Sequence, residues 1–144
     1  MIPRGGQALQ DLAIKLAIAI APETSSPFAA ANTGLVAMLL QCIAQDYDRA
    51  ADVRLTDIRE MKALLTELRA RAPRESHAPI DAFQREEPAS FRIHDLDALH
   101  GRGLDLLIRL HAHVELNADE AADRRIWAFL SQFAERHAFQ LPGV

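Results

Sequence analysis

Two histidines in the second half of the chain are spaced so that they share one face of a predicted helix. His100 and His111 are eleven residues apart, which is about three helical turns. Asp97 precedes His100 by three residues and Glu115 follows His111 by four, so each imidazole has a carboxylate on its own face. Imidazole and carboxylate groups together form acid–base centres and metal sites. These four residues are therefore the first candidates for chemistry.

Two aspartates earlier in the chain have the same spacing. Asp46 and Asp57 are also eleven residues apart, in a stretch predicted to be helical. If this helix lay beside the histidine helix, each aspartate would face one histidine. The alternative is that this stretch is solvated or bent, and we favour it because charged residues are seldom buried unpaired.

The spacing also gives arguments against a metal centre. Carboxylate-bound metal bundles use a repeated Glu-x-x-His motif, whereas this chain contains one Asp-x-x-His, from Asp97 to His100. His100 and His111 are about 16 Å apart along a helix axis and cannot share one ion. We expect no metal and no cofactor. The alternative hypothesis is a helical bundle that binds a metal or a small apolar ligand through Asp46, Asp57, Asp97, His100, His111 and Glu115.

Composition and the remaining motifs exclude several functions. The sequence contains no nucleophile elbow, phosphate loop, paired-cysteine zinc motif or dinucleotide fingerprint. The net charge of −4 gives no electrostatic basis for binding nucleic acid. The single cysteine, Cys42, cannot form an internal disulfide, which favours a reducing compartment. We therefore expect a cytoplasmic, non-enzymatic protein without a nucleic-acid partner.

The early apolar run at residues 12–21 resembles the core of a signal peptide, but it is too short to span a bilayer and contains Lys15. We expect no membrane association. The 144 residues are 49% hydrophobic and 25% charged, which is the balance of an ordinary globular domain. A chain of this length is long enough to bury a core.

The longest helical pattern covers residues 27–71. Ser26 is a suitable N-cap and Pro27 suits the first helical position. Apolar residues then recur three and four apart from Leu35 to Leu68, as on one face of a helix. The segment 32–34, which ends in a glycine, is the one plausible break. An unbroken helix would be roughly 65 Å long.

The other predicted helices cover residues 7–21, 91–116 and 118–138. Asn117 followed by Glu120 is a variant of the capping box at the start of the last helix. The segment 73–89 contains three prolines and is predicted to connect the second and third main helices, with a short helix beginning near residue 79. The sequence thus predicts an all-α, up-and-down bundle of four main helices, one of them unusually long, in a single domain over 1–144.

A helix of that length exceeds the diameter of a domain of this size, so part of it should need a partner. Trp127 lies off the main apolar stripe of the last helix, where it is either core from a second face or an exposed anchor. We expect a small interaction or adaptor protein that forms a homodimer through its long helix, with another protein partner as a variant of this hypothesis. The predicted interface residues are Tyr47, Met61, Leu65, Leu68 and Trp127.

Overall fold

The computed structural model describes residues 4–140, and this part of the chain is all-α. It contains five α-helices and no β-strand. A π-helical segment, Leu16–Ile20, and a 3-10 turn, Ala21–Glu23, continue the first helix, and a second 3-10 turn, Arg69–Arg71, follows the second helix. The helices are α1 (Gly5–Lys15), α2 (Pro27–Glu67), α3 (Arg74–Arg85), α4 (Ile93–Leu116) and α5 (Glu120–His137).

The long helix α2 begins where the sequence predicts and continues through Gly34 without a break. The backbone N–H of Ala29 donates to Ser26 Oγ at 3.5 Å, which satisfies one of the free amides at the helix start. The helix ends at Glu67 and not at residue 71, because the last predicted turn tightens into the 3-10 turn. Tightening of this kind is common at helix ends.

The predicted connecting segment 73–89 contains a full helix, α3, which begins at Arg74 and not near residue 79. Pro79 lies inside this helix, where it has no N–H for the preceding turn. The helix forms despite this because Ile80 and Phe83 are buried at helical spacing. Burial in the core therefore outweighs the local cost of the proline.

The turn between α4 and α5 corrects the predicted cap. Asn117 ends α4, and its side-chain amide donates to the carbonyl of His113 at 2.8 Å. Asp119 is the N-cap of α5, accepting from the N–H of Ala122 at 3.2 Å. The helix consequently starts at Glu120, two residues after the predicted start. Ala118 between them adopts a positive φ of 51°, which is the left-handed conformation typical of a helix end.

Contacts along the chain define two compact units. The N-terminal unit is Met1–Ala50 with Phe139–Val144, and the C-terminal unit is Ala51–Ala138. The order of four main helices as an up-and-down bundle and the single domain over 1–144 remain predictions.

The N-terminal unit is a helical hairpin in which small residues are inside. A Cβ atom added at Gly5 would lie 2.6 Å from the ring of Tyr47, and a groove lined by Ala17 and Gly34 separates the other ends of the two helices. Helices α1 and α2 are therefore antiparallel here. Among the described residues of this unit, the buried ones are glycine and alanine only: Gly6, Ala13, Ala37, Ala44 and Ala50.

The C-terminal unit has the opposite arrangement, with a core of large apolar side chains. Its fully buried side chains include Leu64, Leu99, Leu110 and Ile126. Helix α4 packs against α3 and α5, and Gly103 allows the closest approach, because a Cβ there would lie 2.7 Å from Phe83 Cζ. This core fixes the positions of the histidines and carboxylates on α2, α4 and α5.

Helix α2 also contains an apolar window that is long enough to cross a bilayer. The window has a mean hydropathy of 1.5, and 11% of it is buried. Length and composition alone give weak evidence, because core helices of soluble proteins and signal sequences share them. Among the described residues, α2 is the one helix with this property.

Candidate functional site

Three side chains converge on the carboxylate of Asp57, which is fully buried in the C-terminal unit. His100 Nε2 lies 3.1 Å and His137 Nε2 lies 2.7 Å from the same oxygen, Asp57 Oδ2. The Nε group of Arg136 donates to the other oxygen, Oδ1, at 2.9 Å. The prediction that Asp57 lies in a solvated stretch is wrong, because these partners compensate its charge within the core.

The members of this Asp57 cluster come from three different helices. Asp57 lies on α2, His100 on α4, and Arg136 and His137 form the last turn of α5. Phe133, one turn before His137, stacks on both imidazoles, with ring centroids 5.9 Å from His100 and 4.3 Å from His137. The phenyl ring is thus an apolar support that fixes the orientation of both imidazoles.

Burial raises the pKa of Asp57, but the hydrogen bonds from His100, His137 and Arg136 lower it by more, so the pKa lies below its ordinary value. Asp57 is therefore ionised at neutral pH in spite of its burial. Arg136 also forms an ion pair with a second carboxylate, because one of its terminal nitrogens lies 2.7 Å from Glu60 Oε2. Asp57 and Glu60 together supply two negative charges, against one permanent positive charge on Arg136.

A second cluster surrounds His111 and is more exposed. His111 Nε2 lies 2.9 Å from Asp123 Oδ1 on α5 and 3.7 Å from Glu115 Oε1, one turn along α4. The side chains of Glu115 and Asp123 are 61% and 35% exposed. Trp127 meets the imidazole edge-on, with ring centroids 5.6 Å apart. Water reaches this cluster freely, so its ion pairs are weak.

The remaining predicted chemical residues have other partners. Asp97 forms an ion pair with Arg54, so it does not orient His100. Asp46 is half-buried in the N-terminal unit, and the carboxylates that contact His111 within the C-terminal unit are Glu115 and Asp123. Of the predicted aspartate–histidine pairs, the structure brings together Asp57 and His100.

Two of the predicted interface residues are exposed and three are buried. Tyr47 and Trp127 are 64% and 54% exposed and remain available to a partner. Met61 and Leu65 are fully buried and Leu68 is nearly so, all within the core of the C-terminal unit. Those three side chains cannot contact a partner while this unit is folded, which corrects the prediction for them.

Sequence reasoning missed three members of these clusters: Arg136, His137 and Asp123. His137 ends an apolar series with Phe129 and Phe133 at four-residue spacing. A histidine in line with a buried stripe indicates an imidazole that faces the core. Asp123 lies in the first turn of α5, where an acidic residue is already favoured by the helix dipole. The sequence therefore contains no pattern that indicates its contact with His111.

The cleft between α3 and α4 does not include either histidine cluster. A cleft of about 300 Å³ lies between α3 and α4, lined by apolar residues that include Phe83 and Leu106 and by Arg102 and Arg109. No histidine lines it. Two imidazole nitrogens and one carboxylate oxygen within 4.8 Å of one another form instead a set of possible metal ligands.

Comparisons of the chain with protein-family models, with curated proteins and with solved structures find no match.

Proposed function

We propose that this chain is a non-enzymatic interaction protein that forms a homodimer through the N-terminal unit. One observation supports this above the others: large apolar side chains cover the outside of that unit while its interior contains glycine and alanine. Phe28, Leu35, Leu39 and Ile43, here called the α2 stripe, follow one another at seven- and four-residue spacing on one side of the helix. They are 76%, 51%, 50% and 53% exposed.

The exposed area is large enough for a stable interface. Eleven large apolar residues of this unit, from Leu12 to Tyr47, are between 42% and 76% exposed. With about 150–200 Å² for each residue when fully exposed, they present on the order of 1,000 Å² of apolar surface, summed over all sides of the two helices. The α2 stripe supplies about 400 Å² of this area, and a standard interface buries about 800 Å² on each partner, so neighbouring residues of the hairpin must contribute the rest.

A second copy of the same chain fits this surface because a twofold dimer brings each α2 stripe against its own copy, so that two apolar faces of the same composition cover each other. The groove of about 220 Å³ in this unit, lined mainly by small residues such as Ala13, Ala17, Gly34 and Ala37, lies between α1 and α2, on the side of α2 away from the stripe. Tyr47, at the end of the face that carries the stripe, is a suitable aromatic anchor.

The charges of the hairpin favour a protein partner over a bilayer. The chain has no charged residue from Thr24 to Gln45, a run that includes the first part of α2, but α1 beside it contains Asp11 and Lys15. The uncharged run after Lys15 extends only to Pro22, about 10 Å of helix against a hydrocarbon core of about 30 Å. Inserting the hairpin would place charged side chains in lipid, which is costly.

The experiment is a measurement of mass in solution for the full chain and for Leu39→Glu, by light scattering after gel filtration and by sedimentation equilibrium. Leu39 is in the middle of the α2 stripe and half exposed, so a glutamate is tolerated in the monomer. In the dimer it would be an unpaired buried charge. We expect the wild type to be a dimer at micromolar concentration and the variant to dissociate with a Kd at least about 100-fold weaker.

Ile108→Glu is the matched control, because Ile108 is 65% exposed on α4 in the other unit, and it should leave the Kd unchanged. A wild type that stays monomeric up to high micromolar concentration would overturn the proposal. So would a wild type that is monomeric alone but sediments with neutral phosphatidylcholine vesicles, which would assign the apolar face to a lipid surface.

A further inference from the structure

We propose that Asp57, His100 and His137 form a binding site for one divalent transition-metal ion, with Zn²⁺ as the best match. This site goes beyond the proposed dimer, because it lies within the C-terminal unit and needs no second copy. The three groups supply one carboxylate oxygen and two imidazole nitrogens. This set suits Zn²⁺, whereas Mg²⁺ and Ca²⁺ prefer oxygen ligands throughout.

The convergence on one oxygen is the main geometric argument. Both Nε2 atoms lie within 3.1 Å of Asp57 Oδ2, and the three ligand atoms lie within 4.8 Å of one another. Ligands about 2.0–2.1 Å from a tetrahedral ion are roughly 3.3 Å apart. To admit the ion, the distance from Asp57 Oδ2 must therefore widen by about 0.2 Å for His100 Nε2 and by about 0.6 Å for His137 Nε2.

The surroundings of the three ligands match those of metal sites. Arg136 donates to Asp57 Oδ1, which leaves Oδ2 for the ion and holds the carboxylate in place, as outer hydrogen bonds do around bound metals. The charge of Arg136 is offset by Glu60 at 2.7 Å, so it does not cancel the attraction of Asp57 for a cation. Phe133 stacks on both imidazoles and fixes their planes.

The site also has a route to solvent and an open coordination position. The side chain of His137 is 38% exposed and that of His100 is 12% exposed, while Asp57 is fully buried. An ion can enter from the side of His137, which is the last residue of α5 and can move to widen the site. Three protein ligands leave the fourth tetrahedral position to water.

The alternative to a metal site is a structural hydrogen-bonded network in which both imidazoles donate to Asp57. The experiment must distinguish this network from a metal site. Purified protein stripped of metal is dialysed against buffered Zn²⁺ and analysed for bound metal, and Co²⁺ is titrated as a visible-absorption probe. We expect one ion per chain, Co²⁺ bands typical of tetrahedral coordination, and a higher Tm when Zn²⁺ is present, since the ion joins three helices.

His137→Gln should weaken Zn²⁺ binding at least about 100-fold and abolish the rise in Tm. Its helical content, read by circular dichroism, should be unchanged because the side chain is partly exposed. His94→Gln is the control, since His94 lies at the start of α4 and pairs with the neighbouring Asp95; its affinity should equal that of the wild type. Zn²⁺ should also protect His100 and His137 of the wild type from acylation by diethyl pyrocarbonate while His94 stays reactive, which needs no variant.

Absence of stoichiometric Zn²⁺ and Co²⁺ binding by the wild type would overturn the proposal. Undiminished affinity in a folded His137→Gln variant would overturn it as well. Loss of binding in His111→Gln, with binding retained in His137→Gln, would move the ion to the cluster of His111, Glu115 and Asp123 and would equally contradict the assignment.

Discussion

The two units of this chain place their apolar residues in opposite ways. In the N-terminal unit the described buried residues are glycine and alanine, and leucine and isoleucine lie outside. In the C-terminal unit leucine, isoleucine and phenylalanine fill the core. The two units therefore differ in where their hydrophobic stabilisation comes from. The C-terminal unit obtains it within one chain, whereas the N-terminal unit has most of its apolar area still to bury.

This difference has an energetic meaning. Ordering a residue costs about 1–2 kcal/mol of backbone entropy, and burying apolar surface returns about 25 cal/mol per Å². Contacts between alanines such as Ala13 and Ala37 bury little area, so the hairpin is poorly stabilised by itself. A partner on the α2 stripe would supply the missing burial.

The largest expected effect comes from removing one leucine side chain from each unit. Leu110→Ala deletes a fully buried side chain of the core and should lower the free energy of unfolding by about 2–5 kcal/mol. Leu39→Ala removes a half-exposed side chain and should change it by less than about 0.5 kcal/mol. Urea denaturation at a protein concentration below the dimer Kd measures both. Similar losses in the two variants would break the comparison, because they would mean that the N-terminal unit buries Leu39 within one chain.

A smaller effect is expected from glycine substitutions, which test how closely each unit is packed. In Gly103→Ala the new Cβ would lie 2.7 Å from Phe83 Cζ and 2.9 Å from Met61 Cε, so we expect a loss of about 1–3 kcal/mol. Gly34→Ala has no atom within 4 Å and should gain up to about 1 kcal/mol from helix propensity. Thermal unfolding monitored by circular dichroism gives both values.

Gly101→Ala is the internal control for these substitutions. Gly101 lies on the same helix as Gly103 and also has no atom within 4 Å. It should behave like Gly34 and not like Gly103. If all three variants were stabilised, the close approach of α4 to α3 and α2 at Gly103 would be contradicted.

The smallest effect concerns an ion pair at the surface of the C-terminal unit. Asp81 accepts two hydrogen bonds of 2.7 Å from Arg69, and these hold the pKa of Asp81 below its ordinary value in spite of some desolvation. A lowered pKa means that the stabilisation is complete above the ordinary value, near 3.8, and is lost as the pH falls through the folded-state pKa. Asp81→Asn should remove this part of the acid dependence.

The measurement is the urea midpoint from about pH 5 to pH 2, with Glu87→Gln as control because Glu87 pairs with Lys62 at 3.3 Å but is 82% exposed, so solvent screens that pair. The wild type should lose stability more steeply than Asp81→Asn over this range, and Glu87→Gln should follow the wild type. Identical curves for wild type and Asp81→Asn would show that solvent screens the pair completely.

Periodicity predicted the all-α fold and the start of α2 at Pro27, whereas the pairing of Asp57 with His100 was only the less favoured of two interpretations. It could not predict α3 from Arg74, because a proline within a short amphipathic segment looks like a break until its buried face is known. It also could not identify the small residues as the inside of the N-terminal unit. An apolar stripe looks the same in sequence whether its own chain or a partner covers it.

The prediction failed at Asp57 for a related reason. The rule that charges avoid the interior holds for unpaired groups, and two of the partners of Asp57, Arg136 and His137, are 79 and 80 residues away. A local pattern contains no information about contacts at that distance. The features that the sequence predicted correctly, such as the start of α2, depend on residues within one or two helical turns of each other.

The long separations within the Asp57 cluster also have a consequence for the order of folding during synthesis. Asp57 emerges from the ribosome well before its partner His100, 43 residues later, and long before His137. Until α5 is made, a nascent chain that buried Asp57 would leave its charge only partly compensated. Contacts with such wide loops also close late for entropic reasons. Completion of the last turn of α5 is therefore the step that makes burial of this carboxylate favourable.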